Sequence, residues 1–159
     1  MKISFNSIGT IHSPFKDREN MPIQPTGASG VEGTIEIEPE YVEGLKDLEG
    51  FSHIILLYFF HQTKTTRLTV TPFLDTQMRG VFATRAPSRP NPIGLSIVQL
   101  SKIEENVLTI KNIDVMDGTP LIDIKPYVPE FDGQAEARTG WLEKQKGKVK
   151  KRKSDKRFL

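Results

Sequence analysis

The sequence predicts an all-β protein: an antiparallel β-barrel with one or two short helices and a flexible basic C-terminal tail. Three observations carry this reading. Short apolar segments with strand-type spacing recur along most of the chain, turn residues separate them at close intervals, and one stretch alone has helical periodicity. Many short strands with frequent turns close most simply into a barrel, because closure leaves no sheet edge exposed. Residues 1–142 form a single domain on this reading and residues 143–159 the tail, with 36% hydrophobic residues supplying one core.

The elements follow in order. Gly9 and Ser13-Pro14 bracket a first strand that ends in a turn. The stretch from Pro22 to Gly33 is a polar, glycine-containing loop, either a flap over a ligand or an ordinary surface loop. From Val31 to Ile37 the apolar positions Val31, Ile35 and Ile37 share one side and Glu32, Thr34 and Glu36 the other, the pattern of a half-buried strand. Pro39–Leu48 is the helix candidate, with Tyr41, Val42, Leu45 and Leu48 on one face. Ile54 to Phe60 is an unbroken run of apolar β-formers, which predicts a strand buried on both faces. Further strands are predicted at Arg67–Thr71, Gly80–Thr84, Gly94–Leu100, Val107–Ile113 and Leu121–Lys125, with a hairpin turn at Glu104-Glu105-Asn106. In the last strand Asp123 and Lys125 share a face and suit an ion pair.

Composition excludes several chemistries. The chain has no cysteine, so disulfides, thiolate metal sites, cysteine-held clusters and cysteine nucleophiles are out. Its three histidines are scattered, without HxH or HExxH spacing, and no metal is expected. The opening MKISFNSIGT lacks the apolar core of a signal peptide, and Ile54–Phe60 is too short to cross a bilayer, so a cytoplasmic protein without a membrane partner is expected. The net charge of +2 conceals an asymmetry: residues 143–159 hold nine Lys/Arg and two acids, which leaves the body near −5. A basic tail on an acidic body is either a phosphate-binding footprint or a solubilising end. The glycine cluster at Gly27–Gly33 has the wrong spacing for a dinucleotide fingerprint and leads into a strand.

Four segments look chemical. In Gly80–Gly94 three prolines (Pro87, Pro90, Pro92) fall within six residues and stiffen a loop that carries Arg85, Arg89 and Asn91. From Thr76 to Ile103 there is no acid, so an arginine pair there suits a carboxylate or phosphate ligand, unless each arginine meets an acid from elsewhere. Asn91-Pro92 could present an oxygen to an amino group, or simply turn the chain. The stretch from Asp114 to Tyr127 gathers Asp114, Asp117 and Asp123 near strand ends, where a carboxylate can hold ribose hydroxyls or accept a proton; Asp117-Gly118 is also a turn by composition. His61 should emerge at the end of a buried strand, with His53 at the opposite end. The fourth segment, Ile8–Lys16, runs into the loop that contains Pro22 and Pro25.

These segments together resemble the TsaA-like family, which includes the TrmO tRNA methyltransferases. The resemblance is carried by Gly80-Val-Phe-Ala-Thr-Arg85 with Arg89-Pro-Asn-Pro-Ile-Gly94, by Ile8-Gly-Thr-Ile-His-Ser-Pro14, Leu48-Glu-Gly-Phe-Ser-His53 and Phe60-His-Gln-Thr63, and by Asp117-Gly-Thr-Pro-Leu-Ile-Asp-Ile-Lys-Pro-Tyr127. It implies a β-barrel, generally homodimeric, that uses S-adenosyl-L-methionine to methylate N6 of N6-threonylcarbamoyladenosine at position 37 of tRNA, beside the anticodon. Cofactor contacts would fall on Gln24, Pro25 and Thr26, on His61 and Gln62, on Arg85 and Leu95, and on Asp114, Val115, Met116, Asp117 and Gly118. Longer bacterial members carry an additional C-terminal domain where this sequence has the basic tail. Residue chemistry and the motif match then assign catalytic parts: Asn91 holds the substrate N–H, Arg89 grips the threonyl carboxylate or a phosphate, and an aspartate of the 114–117 segment, Asp117, assists proton loss. Two other readings compete, a non-catalytic barrel that binds RNA or an anion, and a methyltransferase with a different acceptor.

Overall fold

A computed structural model describes residues 1–19, 21–23, 27–145 and 153. Six strands form a closed barrel in the order β1-β2-β7-β6-β3-β8: β1 Gly9–His12, β2 Glu32–Ile37, β3 His53–Phe59, β6 Ile93–Glu104, β7 Val107–Lys111 and β8 Thr119–Pro126. Every neighbouring pair is antiparallel. The all-β barrel expected from the sequence is therefore present, with one four-residue α-helix among the described residues, α1 Pro129–Asp132, after it.

The alternation that defined the strands now fills the barrel. Ile11 faces Ile35, Ile35 faces Leu108, and Ile54 faces Val98, all with side chains at 0% exposure. At about 25 cal/mol per Å² this interior supplies the main driving force for closure. On β6 one inward position breaks the apolar pattern: Ser96, between Gly94 and Val98, is fully buried. Gly94 itself has no room for a side chain, because a Cβ there would overlap the ring of Tyr58. Tyr58 is locked in place by an edge-on contact with Phe60 (5.5 Å between centroids) and by a hydroxyl hydrogen bond to Ser96 at 2.9 Å.

Three local expectations are corrected. The apolar run expected to be buried on both faces alternates in burial: Ile54, Leu56 and Tyr58 point inward, while Phe59 is 41% exposed. The predicted strand at Gly80–Thr84 shrinks to β5 Arg79–Gly80, which pairs with β4 Thr69–Val70, and Val81–Ala83 form a 3₁₀ turn. Both the amide and the hydroxyl of Thr84 bond back to the Val81 carbonyl, which closes that turn. The helix candidate at Pro39–Leu48 becomes a 3₁₀ helix at Pro39–Leu45 and a short 3₁₀ turn at Leu48–Gly50, because Asp47 takes the left-handed conformation between them. The expected hairpin turn joins β6 to β7, and Asp123 pairs with Lys125 at 2.8 Å.

The segment between β3 and β6 folds over one mouth of the barrel, holding a small core of its own in Val70, Val81 and Ala86. Trp141, from the 3₁₀ helix Gly140–Gln145, latches onto it: its indole N–H donates to the Ala83 carbonyl at 2.8 Å, and the Arg79 guanidinium lies 5.8 Å from its ring. The basic tail expected at 143–159 lies mostly outside the described residues.

Candidate functional site

Between the barrel mouth and this overlying segment lies a cleft of about 810 Å³. Its walls come from distant parts of the sequence, among them Arg18, Tyr58, Phe60, His61, Gln62, Phe82, Arg85, Arg89, Asn91, Leu95, Asp114 and Trp141. Three guanidinium groups and one carboxylate line it among the described residues, so the lining is cationic overall.

The proline-braced hairpin forms one wall. Its shape is tied down by main-chain bonds: Arg89 N–H to the Pro87 carbonyl, Ile93 N–H to the Asn91 carbonyl, and Phe60 N–H to the Pro92 carbonyl, all at 2.7–2.8 Å. Arg89 adds a side-chain brace, with Nη1 donating to the carbonyls of Thr84 (2.9 Å) and Ala86 (3.2 Å). The sequence-predicted pair thus divides its work. Arg89 braces the hairpin and lines the cleft, whereas Arg85 is exposed on the cleft wall. Asn91 is exposed on the same wall.

Asp114 lines the same cleft. Its carboxylate accepts the Ser96 hydroxyl at 2.6 Å, and Ser96 in turn meets the Tyr58 hydroxyl. Burial pushes the Asp114 carboxyl up to about 6, against the pull of the Ser96 hydrogen bond and of Arg85. Burial and the neighbouring Asp114 charge likewise raise Tyr58 far above the ordinary phenol range. A buried carboxylate held by the Ser96 hydroxyl, with its pKa moved toward neutrality, is the kind of group that accepts a proton near pH 7.

The remaining predicted residues divide. His61, Gln62, Leu95, Val115 and Met116 line the cleft. Burial, then the charge of Arg18, lowers the pKa of His61. Asp117 and Gly118 stand outside the cleft. Asp117 accepts the Ser13 amide at 3.0 Å and pairs with Lys16 at 2.5 Å, which holds its carboxyl below the usual range. Gly118 supplies the positive φ (81°) of the turn, and its N–H bonds the Ile11 carbonyl. The carboxylate that faces the cleft is therefore Asp114, three residues earlier than the one chosen from sequence. Gln24, Pro25 and Thr26 lie outside the described residues.

Sequence reasoning missed Tyr58, Ser96, Arg18, Phe82 and Trp141. Ser96 left a signal, as a lone hydroxyl on the inward side of an otherwise apolar alternation. Arg18 left none: it reaches the cleft through a loop, where its Nη2 donates to Thr63 Oγ1 at 2.9 Å.

Comparison with known proteins gives consistent likenesses. The family described as tRNA-methyltransferase O, N-terminal domain, matches residues 10–133. The chain is 54% identical, over its whole length and 86% of the relative's, to a probable S-adenosyl-L-methionine-binding protein of Pyrococcus abyssi. It is 36% identical to the tRNA (adenine(37)-N6)-methyltransferase of Escherichia coli over 87% of this chain and 63% of that protein. A crystal structure of TrmO from Pseudomonas aeruginosa superimposes with a TM-score of 0.75 at 43% identity, covering 89% of this chain and 63% of that one. The chain thus spans less than two thirds of each of these two bacterial proteins.

Proposed function

Because this chain belongs to the tRNA-methyltransferase O family, we propose that it is an S-adenosyl-L-methionine-dependent methyltransferase acting on N6 of N6-threonylcarbamoyladenosine at position 37 of tRNA. The observation that carries this reading is the presence, in one cleft, of a cationic braced hairpin and a buried carboxylate of raised pKa.

The donor set fits the cofactor. A cleft of about 810 Å³ is in the range that takes a ligand of this size. Arg85 matches its carboxylate, and the apolar side chains of Leu95 and Met116 with the amides and rings of Gln62, Phe60 and His61 suit a nucleoside. When bound, S-adenosyl-L-methionine supplies an electrophilic methyl group. The chain's own groups do the rest. The hairpin fixes the Asn91 amide where it can accept the hydrogen bond of a substrate N–H. Arg18 and Arg89 favour an anionic substituent such as the threonyl carboxylate over a neutral one. Asp114, ionised above about pH 6, can accept the proton lost from N6, with Ser96 holding the carboxylate in place. Tyr58, Phe60 and Trp141 narrow the cleft against water. The Phe82 ring, 76% exposed at the rim, offers a face on which an RNA base can stack.

The test is incubation with labelled cofactor and tRNA with and without the threonylcarbamoyl group. Label should enter the modified tRNA alone; equal labelling of both, or of neither, removes the substrate assignment. The basic segment 143–159 is part of the same proposal, as a sequence-independent phosphate contact. Deleting it should weaken tRNA binding and flatten its dependence on salt, measured by filter binding over a salt series. A homodimer and a cytoplasmic location, expected from the resemblance and from the sequence, complete the reading.

A further inference from the structure

The 3₁₀ helix Gly140–Gln145 belongs to the cleft although the chain reaches it from outside the barrel. The match to the family's domain ends at residue 133, and residues 131–140 are exposed throughout. The helix has no buried residue, so it builds no core of its own. It nonetheless places two large apolar side chains, Trp141 and Leu142, in the cleft lining. Further on, Lys153 forms an antiparallel bridge with Pro22, itself a cleft residue. A chain end is ordered where something ties it down, and these ties are to the cleft.

The tie fixes the Trp141 ring without burying it. Its indole N–H donates to the Ala83 carbonyl at 2.8 Å, and the Arg79 guanidinium lies over the ring, 5.8 Å from its centroid. Arg79 is in turn held by Asp75 at 2.6 Å. The orientation is thus set from two sides, yet the side chain stays only partly buried and lines the cleft. Indole has one donor and no acceptor, and that donor is spent on Ala83. What remains toward a ligand is flat, apolar, electron-rich surface, which gains from being covered by another flat ring. A purine has that shape, and stacking of a base on an aromatic side chain needs no hydrogen bond from the ring. The wall beside it suits such a ligand, because Phe82 and Arg85 flank the Ala83 tie along the chain and line the same cleft.

We propose that Trp141 is a purine-binding residue of this cleft, its ring stacking on the adenine of the methyl donor or on the target nucleobase, with the bond to Ala83 holding it in place. Both purines come to the cleft only on the methyltransferase reading, on which this role rests. The role falls to a segment beyond the matched domain, so a relative that shares residues 10–133 need not share it.

Trp141 is the only tryptophan in the chain, so intrinsic fluorescence reports on this ring alone. S-adenosyl-L-homocysteine is added first, and an anticodon stem-loop carrying N6-threonylcarbamoyladenosine is then added to the complex, with each binding step followed by calorimetry. Stacking should quench the Trp141 emission and shield it from acrylamide, and the step at which this happens names the purine. Trp141→Ala should weaken binding of that ligand at least about fivefold. Trp141→Phe, which keeps a ring but loses the N–H, should recover part of the loss. Phe131→Ala, which removes an exposed aromatic outside the cleft wall, should change nothing. Circular dichroism should be the same in all three. Binding of the homocysteine with unchanged emission, and no quench on adding the stem-loop, would overturn the role even if Trp141→Ala bound weakly, because the ring would then only position the Val81–Ala83 turn. Parental affinity in Trp141→Ala would overturn it as well. Were neither ligand to bind, the methyltransferase reading would fall and this role with it; binding without quenching removes the role alone.

Discussion

Asp114→Asn should abolish most methyl transfer while making the protein more stable. The catalytic part follows from the cleft: Asp114 is the one carboxylate among the described residues that line it, and loss of a positioned proton acceptor costs about 10²–10⁴-fold in rate. The stability part follows from linkage. Burial raises the folded-state pKa of Asp114 from 3.8 to about 6, so the folded protein holds this proton more tightly than the unfolded chain does. Stability therefore falls as pH rises from about 4 through about 6, and the ionised carboxyl costs about 3 kcal/mol above that window. An asparagine has nothing to ionise, and its amide oxygen can still accept the Ser96 hydroxyl. Urea denaturation should find the variant more stable by up to about 3 kcal/mol at pH 7.5 and equal to the parent below pH 4. In the parent, kcat/KM should climb through about pH 6 and level off; in the variant that rise should be gone. A variant that keeps the parental kcat/KM at pH 7.5 removes Asp114 from the chemistry.

The contrast between Asp114 and Asp117 shows which part of this site can be read from sequence. Strand identity was legible because side-chain alternation is local: β2 and β8 sit close to where Val31–Ile37 and Leu121–Lys125 placed them. The hairpin was legible because proline and glycine restrict the backbone wherever they stand. The choice among aspartates was not local. Asp114 faces the cleft because Ser96 of β6 lies within hydrogen-bond reach, and Ser96 is there because β3 and β6 pair in one register. Asp117 turns away because Ser13 and Lys16, about a hundred positions earlier, hold it. Neither partner is visible three residues from the aspartate. The unbroken apolar run of β3 was a different case. Its pattern indicated two buried faces, one chain covers only one of them, and the mismatch points to a surface that single-chain packing leaves open.

Arg89→Ala should lower kcat/KM by about a hundredfold, and Arg89→Lys should do little better. A role based on charge alone would let lysine substitute; the geometry argues against that. Nη1 of Arg89 bonds the carbonyls of both Thr84 and Ala86, on either side of Arg85, so the guanidinium sets the path of the residues that carry the cleft's exposed cation. Removing it leaves two carbonyls without their donor and frees the hairpin to shift. Displacement of reacting or binding groups by about 1 Å is enough to cost two orders of magnitude. A lysine keeps the charge but has a single compact ammonium on a flexible stem, without the planar fork that fixes the direction of the bonds. If the brace is the main role, the cofactor KM should rise in both variants because Arg85 moves with the loop, and the proton-linked pH profile set by Asp114 should be retained. Full recovery in Arg89→Lys would instead show that Arg89 acts as a charge toward the substrate. Parental kcat/KM in Arg89→Ala would mean that the prolines and the main-chain bonds at Pro87, Asn91 and Pro92 hold the hairpin without it.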